Sequence, residues 1–128
     1  MKKIGLFLFT MFLFVGCFNS KKDIALEIVD KTYVLEGTVA ESQIDITFQK
    51  DKLVGLAGVN RYFSNYKIDG EKISINELGL TRMMGPQNLM MQEQEYLKSL
   101  KEAKKIMFTE KGILIITETG AKLNFVQK

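Results

Sequence analysis

A chain of 128 residues with 18 basic and 15 acidic side chains, no histidine, no tryptophan and a single cysteine is one domain by length. Without histidine, and with its lone cysteine at the N-terminal end, it can assemble neither a Ser/His/Asp nor a Cys/His catalytic arrangement, and it lacks the usual transition-metal ligands. The net charge of +3 falls near +1 once Lys2 and Lys3 are set aside, leaving 16 basic against 15 acidic residues, which is not the clustered excess of a nucleic-acid footprint.

The N-terminus reads as an export signal. Met1-Lys2-Lys3 is a basic start, and the uncharged apolar run over 4–15 is about a dozen residues, where a membrane-crossing helix needs roughly 20. A secretory signal peptide fits that length. The run ends in Phe14-Val15-Gly16-Cys17, and small Gly16 before the only cysteine looks like a bacterial lipobox, in which the signal is cut before the cysteine and the thiol takes a diacylglycerol. Leu13 stands one place early for that motif, with Phe14 in the usual leucine position. An unpaired thiol has no structural use in an oxidising compartment, whereas an acylated one is chemically retired. The competing reading is a signal anchor, or a cleaved signal with an incidental cysteine. Each buried CH₂ of the lipid contributes about 0.8 kcal/mol, so two or three chains would hold the domain on a membrane. The expected organisation is residues 1–16 as a lipoprotein signal peptide, 17–30 as lipidated Cys17 and its tether, and 31–128 as the folded domain. Such a protein is exported and lipid-anchored at the cell envelope, on a periplasmic or an extracellular face.

From Lys31 the chain reads as strands. Residues 32–36 are β-branched and aromatic and stop at Gly37. Ile44, Ile46 and Phe48 alternate with Asp45, Thr47 and Gln49, the pattern of a strand with one buried face. A turn at Lys50-Asp51 leads to Leu53, Val54 and Leu56. The stretch Gly55-Leu56-Ala57-Gly58-Val59-Asn60-Arg61-Tyr62-Phe63-Ser64-Asn65-Tyr66 then breaks the pattern. Two glycines three apart run into an Asn-Arg pair and a cluster of aromatics, which predicts a sharp corner between two strands. Tyr62, Ser64, Tyr66 and Ile68 share one face of the next strand, and Asp69-Gly70 predicts a type I′ turn into a return strand carrying Ile73 and Ile75.

Residues 78–84 form a further apolar stretch, ended by Gly85-Pro86. Residues 88–103 are rich in helix formers, with Leu89, Tyr96, Leu100 and Ala103 on one stripe and Met90 and Leu97 at its edge. Acids early and lysines late in this segment suit the helix dipole. Three more strands, over 105–109, 113–117 and 122–126, are separated by Glu110-Lys111-Gly112 and Glu118-Thr119-Gly120. Both loops end in glycine, as three-residue hairpin loops with a bulge require. The fold class is therefore mainly β (α+β): a small antiparallel, about eight-stranded, barrel-like meander with one amphipathic helix inserted before the last three strands.

Candidate chemistry is sparse. Asp45, Glu93 and Glu95 could in principle pair as carboxylates, but an alternating strand and a half-solvated helix make ordinary solvated charges the expectation. Gly55 and Gly58 lead into an extended aromatic strand and not a helix N-terminus, so they are no phosphate loop. No catalytic residue, metal ligand or cofactor is expected. Met83, Met84, Met90 and Met91 flank Pro86, where flexible thioethers either fill the core beneath the helix or line an adaptable binding surface. A helix closing a cracked barrel also raises an apolar cavity able to hold an acyl chain.

These residues together resemble the META domain, the family that includes the HslJ-type envelope lipoproteins of bacteria. The resemblance is carried by the stretch from Gly55 to Tyr66, then Asp69-Gly70, Ile73-Ser74-Ile75, Thr81-Arg82-Met83-Met84-Gly85-Pro86, a helix with Glu95-Tyr96-Leu97 and Leu100, and a closing Leu123-Asn124-Phe125. Its motif residues here are Gly55, Gly58, Asn60, Arg61, Tyr62, Tyr66, Thr81, Met83 and Pro86. This chain departs from the family pattern at Val59 and at Gly85, where cysteine is common, and carries Ser64 in place of glycine and Tyr33 in place of tryptophan. The resemblance implies a compact antiparallel barrel with a helix, found in stress-linked envelope lipoproteins and similar in fold to a lipid-binding pilotin, with no enzymatic activity. The expected function is binding, in envelope stress response or maintenance, through the membrane on one side and another envelope protein on the other. The alternative is a carrier or sensor of an apolar ligand such as an acyl chain, and an enzyme is the distant third, demoted by the missing histidine and free thiol. Asn60 and Arg61 have two readings: an architectural one, in which Asn60 satisfies turn backbone and Arg61 caps carbonyls or pairs with a carboxylate, and a functional one, in which the pair belongs to a binding site.

Overall fold

The computed structural model describes residues 23–40 and 42–128. In chain order these carry α1 (Ile24–Glu27), β1 (Lys31–Leu35), β2 (Asp45–Phe48), β3 (Lys52–Leu56), β4 (Arg61–Asp69), β5 (Lys72–Ile75), β6 (Gly79–Leu80), α2 (Gln87–Lys101), β7 (Ala103–Phe108), β8 (Gly112–Thr117) and β9 (Lys122–Gln127). Strands β1 to β5 run up and down as successive antiparallel neighbours, as do β7 to β9. Two further antiparallel pairings, β1 with β9 and β5 with β7, close the ring. Eight strands thus form a closed barrel, β6 lies against β4 as a ninth, and α2 enters ahead of the last three strands, as the sequence pattern predicts.

The period-2 alternation explains the core. Inward positions of β2 and β4 hold Ile46, Phe48, Tyr62 and Ser64, all buried. They meet Tyr33 from β1, Leu53 from β3, Ile106 from β7, Ile113 and Ile115 from β8 and Phe125 from β9 in one cluster. The rings pack edge to face: Tyr33 on Phe48 at 6.3 Å, Phe48 on Tyr66 at 5.2 Å, Tyr62 on Tyr96 at 5.7 Å and Tyr96 on Phe125 at 6.5 Å between centroids. Each such pair contributes roughly 0.5–1.5 kcal/mol beyond burial. The helix joins this core through Tyr96 and Leu100. Packing begins ahead of β1: Ile24 and Ile28 belong to the core cluster, so residues 23–30, read as the end of a tether, already contribute to the fold.

Local geometry departs from the sequence expectation at four places. The β4–β5 hairpin turns at Gly70-Glu71, since Asp69 pairs with Lys72, and only Gly70 has positive φ, 63°, which matches a II′ turn and not I′. The loop before β9 holds Gly120 at φ 93° as foreseen, but Gly112 has an ordinary φ. Its missing side chain matters for another reason, because a Cβ there would strike the backbone of Phe125, Val126 and Gln127. The stretch over 78–84 yields only two residues of strand, β6. Finally, α2 carries no acid in its first turn, although Lys98 and Lys101 do occupy the last.

Candidate functional site

The corner between β3 and β4 is where the distinctive residues meet. Gly58 takes φ 113°, a conformation that favours glycine, and turns the chain so that the N–H groups of Val59 and Asn60 point the same way. Both donate to Oε1 of Glu93 on α2, at 3.0 and 2.7 Å. The Asn60 amide Nδ2 donates to Oε2 of the same carboxylate at 2.8 Å and to the Met83 carbonyl at 3.2 Å. Its Oδ1 accepts from the Thr81 hydroxyl at 3.0 Å and from the Met83 N–H. Asn60 is 3% exposed, and every polar group of its side chain is used. One asparagine therefore joins three segments: the corner, the strap that follows β6, and the helix.

Glu93 is the residue that sequence reasoning misassigned. Expected as a solvated charge, it is 4% exposed. Among the described residues it has no cation within ion-pair distance, and its three N–H donors take that role. A signal was present: Leu89, Glu93, Tyr96 and Leu100 fall at i, i+4, i+7 and i+11, so the acid interrupts the apolar stripe and must face the barrel. The neighbouring Gln92 ties down a second loop, accepting from the Val39 N–H at 2.8 Å and donating to Ser42 Oγ at 2.7 Å. Glu95, by contrast, is exposed as expected.

Asp45 corrects the same expectation. It is buried, its Oδ1 accepting from the Leu56 N–H at 2.9 Å and its Oδ2 from Gln43 at 2.8 Å. Its backbone carbonyl accepts from the Tyr62 hydroxyl at 2.7 Å, and the Tyr96 hydroxyl lies 2.6 Å from Tyr62 Oη. Since Tyr62 has one proton to donate and gives it to Asp45, Tyr96 donates to Tyr62. Burial pushes both phenols above the ordinary tyrosine value, so both stay neutral and hydrogen-bonded. Gly55 makes this chain fit: a Cβ there would strike the Asp45 carbonyl and lie 2.8 Å from Tyr62 Oη.

The remaining motif residues divide. Thr81 bonds the corner through its side chain and Met83 through its backbone, while Pro86 is the N-cap residue of α2. The Arg61 backbone pairs with Thr81. Its exposed side chain has no hydrogen bond or ion pair among the described residues, contrary to the expectation of a capped carbonyl or a carboxylate partner. Tyr66 lies apart from the corner, its hydroxyl on the Gln49 carbonyl at 2.6 Å. The methionines do not fill the core. Met83, Met84 and Met91 are 58, 87 and 59% exposed, and Met83, Met84 and Met90 line a groove of about 670 Å³ between the strap and α2, with Leu78, Leu80 and Leu97.

The barrel interior holds Tyr33, Tyr62, Phe48 and Phe125 at 2% exposure or less, so an acyl chain there would have to displace them. Among the described residues no group of three metal-ligating side chains comes together, and no helix is long and apolar enough to cross a membrane. Gly16 and Cys17 lie outside the described residues.

A closed antiparallel barrel whose one sharp corner is bound to a strap and a helix defines a class of small β-barrel domain. The META domain family model matches residues 27–128, and the chain belongs to that family. No curated protein sequence matches. Two solved structures share the fold. An NMR structure of a protein from Burkholderia xenovorans aligns at TM-score 0.68 and 21% identity, covering 82% of this chain and 86% of its own. A second NMR structure aligns at TM-score 0.65 and 19% identity, covering 82% and 95%.

The two positions where the family commonly carries cysteine are in contact here. A Cβ built on Gly85 lies 3.6 Å from that of Val59, inside the roughly 3.5–4.5 Å that disulfides span. The double variant Val59→Cys/Gly85→Cys is expected to oxidise spontaneously and, by closing a loop of this length, to raise stability by about 2–3 kcal/mol. Thiol titration and urea denaturation with and without reductant check this; a bridge that fails to form would show that corner and strap are not packed as described.

Proposed function

We propose that this chain is a lipid-anchored binding module of the cell envelope, exported by residues 1–16, acylated at Cys17, and contacting another envelope protein in stress response or maintenance. The observation that carries the binding part is the exposed methionine surface. Side chains of this kind adapt to a partner, and here Met83 and Met84 are displayed on a strap whose backbone Asn60 holds fixed, beside Met91 on α2. Anchoring rests on the Gly16-Cys17 motif. Carriage of an acyl chain is the weaker reading, because large side chains occupy the interior. No enzymatic role is proposed.

A photo-crosslinking residue placed at Met84 in the full chain, in intact cells, is expected to give a discrete protein adduct that the same group at Lys50, at the far end of β2 and β3, does not give. Cys17→Ser is expected to shift the protein from the membrane to the soluble fraction and to abolish the adduct. Equal adducts from both positions would remove the binding surface, and unchanged membrane partition of Cys17→Ser would remove the anchor.

A further inference from the structure

Closure of the barrel leaves one strand, β6, with a neighbour on one side only among the described residues. Every strand from β1 to β5 and from β7 to β9 has neighbours on both sides, while β6 has β4 on one side and no strand on the other. The edge is longer than β6 itself. Phe63 pairs with Gly79 and Tyr62 with Leu80, the Thr81 N–H donates to the Arg61 carbonyl, and the Met83 N–H and carbonyl bond the Asn60 side chain. The odd-numbered residues of the strap thus face β4 and the corner. In an antiparallel ladder alternate residues turn their backbone groups to opposite edges, so Leu78, Leu80 and Arg82 direct theirs away from the barrel. For Leu78 and Arg82 no backbone hydrogen bond is made among the described residues.

Free edges are ordinarily blunted by lysine, proline or a covering element. Between Leu78 and Met84 this one carries no lysine and no proline, only the single charge of Arg82, and it opens on the groove of about 670 Å³ floored by α2. Five residues of edge span about 17 Å at strand rise, the length of an ordinary strand. The groove contains two ionisable groups. Glu93 spends its oxygens on Val59 and Asn60, while Arg82 is exposed with no anionic partner among the described residues. Glu93 is buried and Arg82 is not, so the charge the groove presents to a partner is positive.

We infer that the groove between the β6 edge and α2 takes an extended segment of a partner protein as an added strand, with apolar side chains at alternate positions against Met83, Met84, Met90 and Leu97 and an acidic side chain against Arg82. Backbone pairing with Leu78, Leu80 and Arg82 supplies the affinity, and the methionines and Arg82 supply the selectivity. This rests on the protein-binding reading above and names its site and mode.

The test uses the full chain in detergent and a phage-displayed library of random ten-residue peptides, with the consensus peptide synthesised for fluorescence anisotropy. Selected peptides are expected to converge on alternating apolar residues with one Asp or Glu. Leu80→Pro, which removes an N–H facing away from β4 and places proline where edge strands accept it, is expected to weaken binding at least tenfold. Arg82→Ala is expected to weaken it several-fold, and not at all for a peptide whose acid is replaced by its amide. In the wild-type protein, saturating peptide is expected to slow amide exchange at Leu80 and Arg82 at least tenfold, a readout that does not depend on how any variant folds. Failure of the library to converge on the alternating pattern, or unchanged exchange at both amides, overturns the inference. Partner adducts from Met84 in cells combined with unchanged exchange would remove strand addition while leaving protein binding in place.

Discussion

Glu93→Ala is expected to destabilise the domain by about 4 kcal/mol, a large share of the roughly 5–15 kcal/mol that holds a small domain folded. The carboxylate accepts the Val59 N–H, the Asn60 N–H and the Asn60 amide. A buried donor left without its acceptor costs about 1–3 kcal/mol, and water entering the vacated space would recover part of the three losses. Glu93→Gln keeps one acceptor oxygen but turns an NH₂ toward donors, so about half the loss is expected. Urea denaturation of the purified protein reads both. Because the corner, the strap and the middle of α2 are joined through Glu93 and Asn60, the loss should appear as one cooperative transition moved to lower urea and not as local fraying.

Gly55→Ala is expected to cost at least about 3 kcal/mol, in the range of overpacking changes that force backbone to shift. The added methyl meets the Asp45 carbonyl, which belongs to the neighbouring strand and cannot swing aside, and also the ring and hydroxyl of Tyr62. Displacing Tyr62 breaks its bond to Asp45 and the Tyr96 bond behind it. Gly37→Ala is the informative comparison. No atom lies within 4 Å of its added methyl, so only its φ of 82° is strained, and it should cost about 1 kcal/mol. A thermal melt that ranks the two in the opposite order would show that the close approach at Gly55 is not what that glycine supplies.

Much of the barrel was legible because alternation is a local property. Ile44, Ile46 and Phe48 announce a half-buried strand whatever lies beside them, and Gly120 announces its loop. What failed to show depends on partners distant in the chain. Asp45 has the spacing of a solvent-facing residue, yet Leu56 and Tyr62 reach it across the sheet. The turn lies one residue beyond Asp69-Gly70 because the cross-strand register, with Asp69 opposite Lys72, decides it. The apolar stretch after Leu78 stops being a strand because β4 begins at Arg61, the partner of Thr81, so that beyond Thr81 the strap's backbone bonds the Asn60 side chain instead of a strand. The methionines mislead for a related reason, since apolar composition does not reveal that Asn60 holds the strap's backbone while leaving its side chains outside. Glu93 alone left a usable trace, a charge in the middle of a buried stripe.

The family's most distinctive stretch is thus architecture that displays a surface: Asn60 and Glu93 fix the strap, and the strap presents its methionines and its open edge. The direct test is a double-mutant cycle on Asn60→Ala and Glu93→Gln by urea denaturation. The amide-to-carboxylate bond at 2.8 Å predicts a coupling of about 2 kcal/mol, as for hydrogen bonds to charged groups. Additive losses, within about 0.5 kcal/mol, would contradict the account.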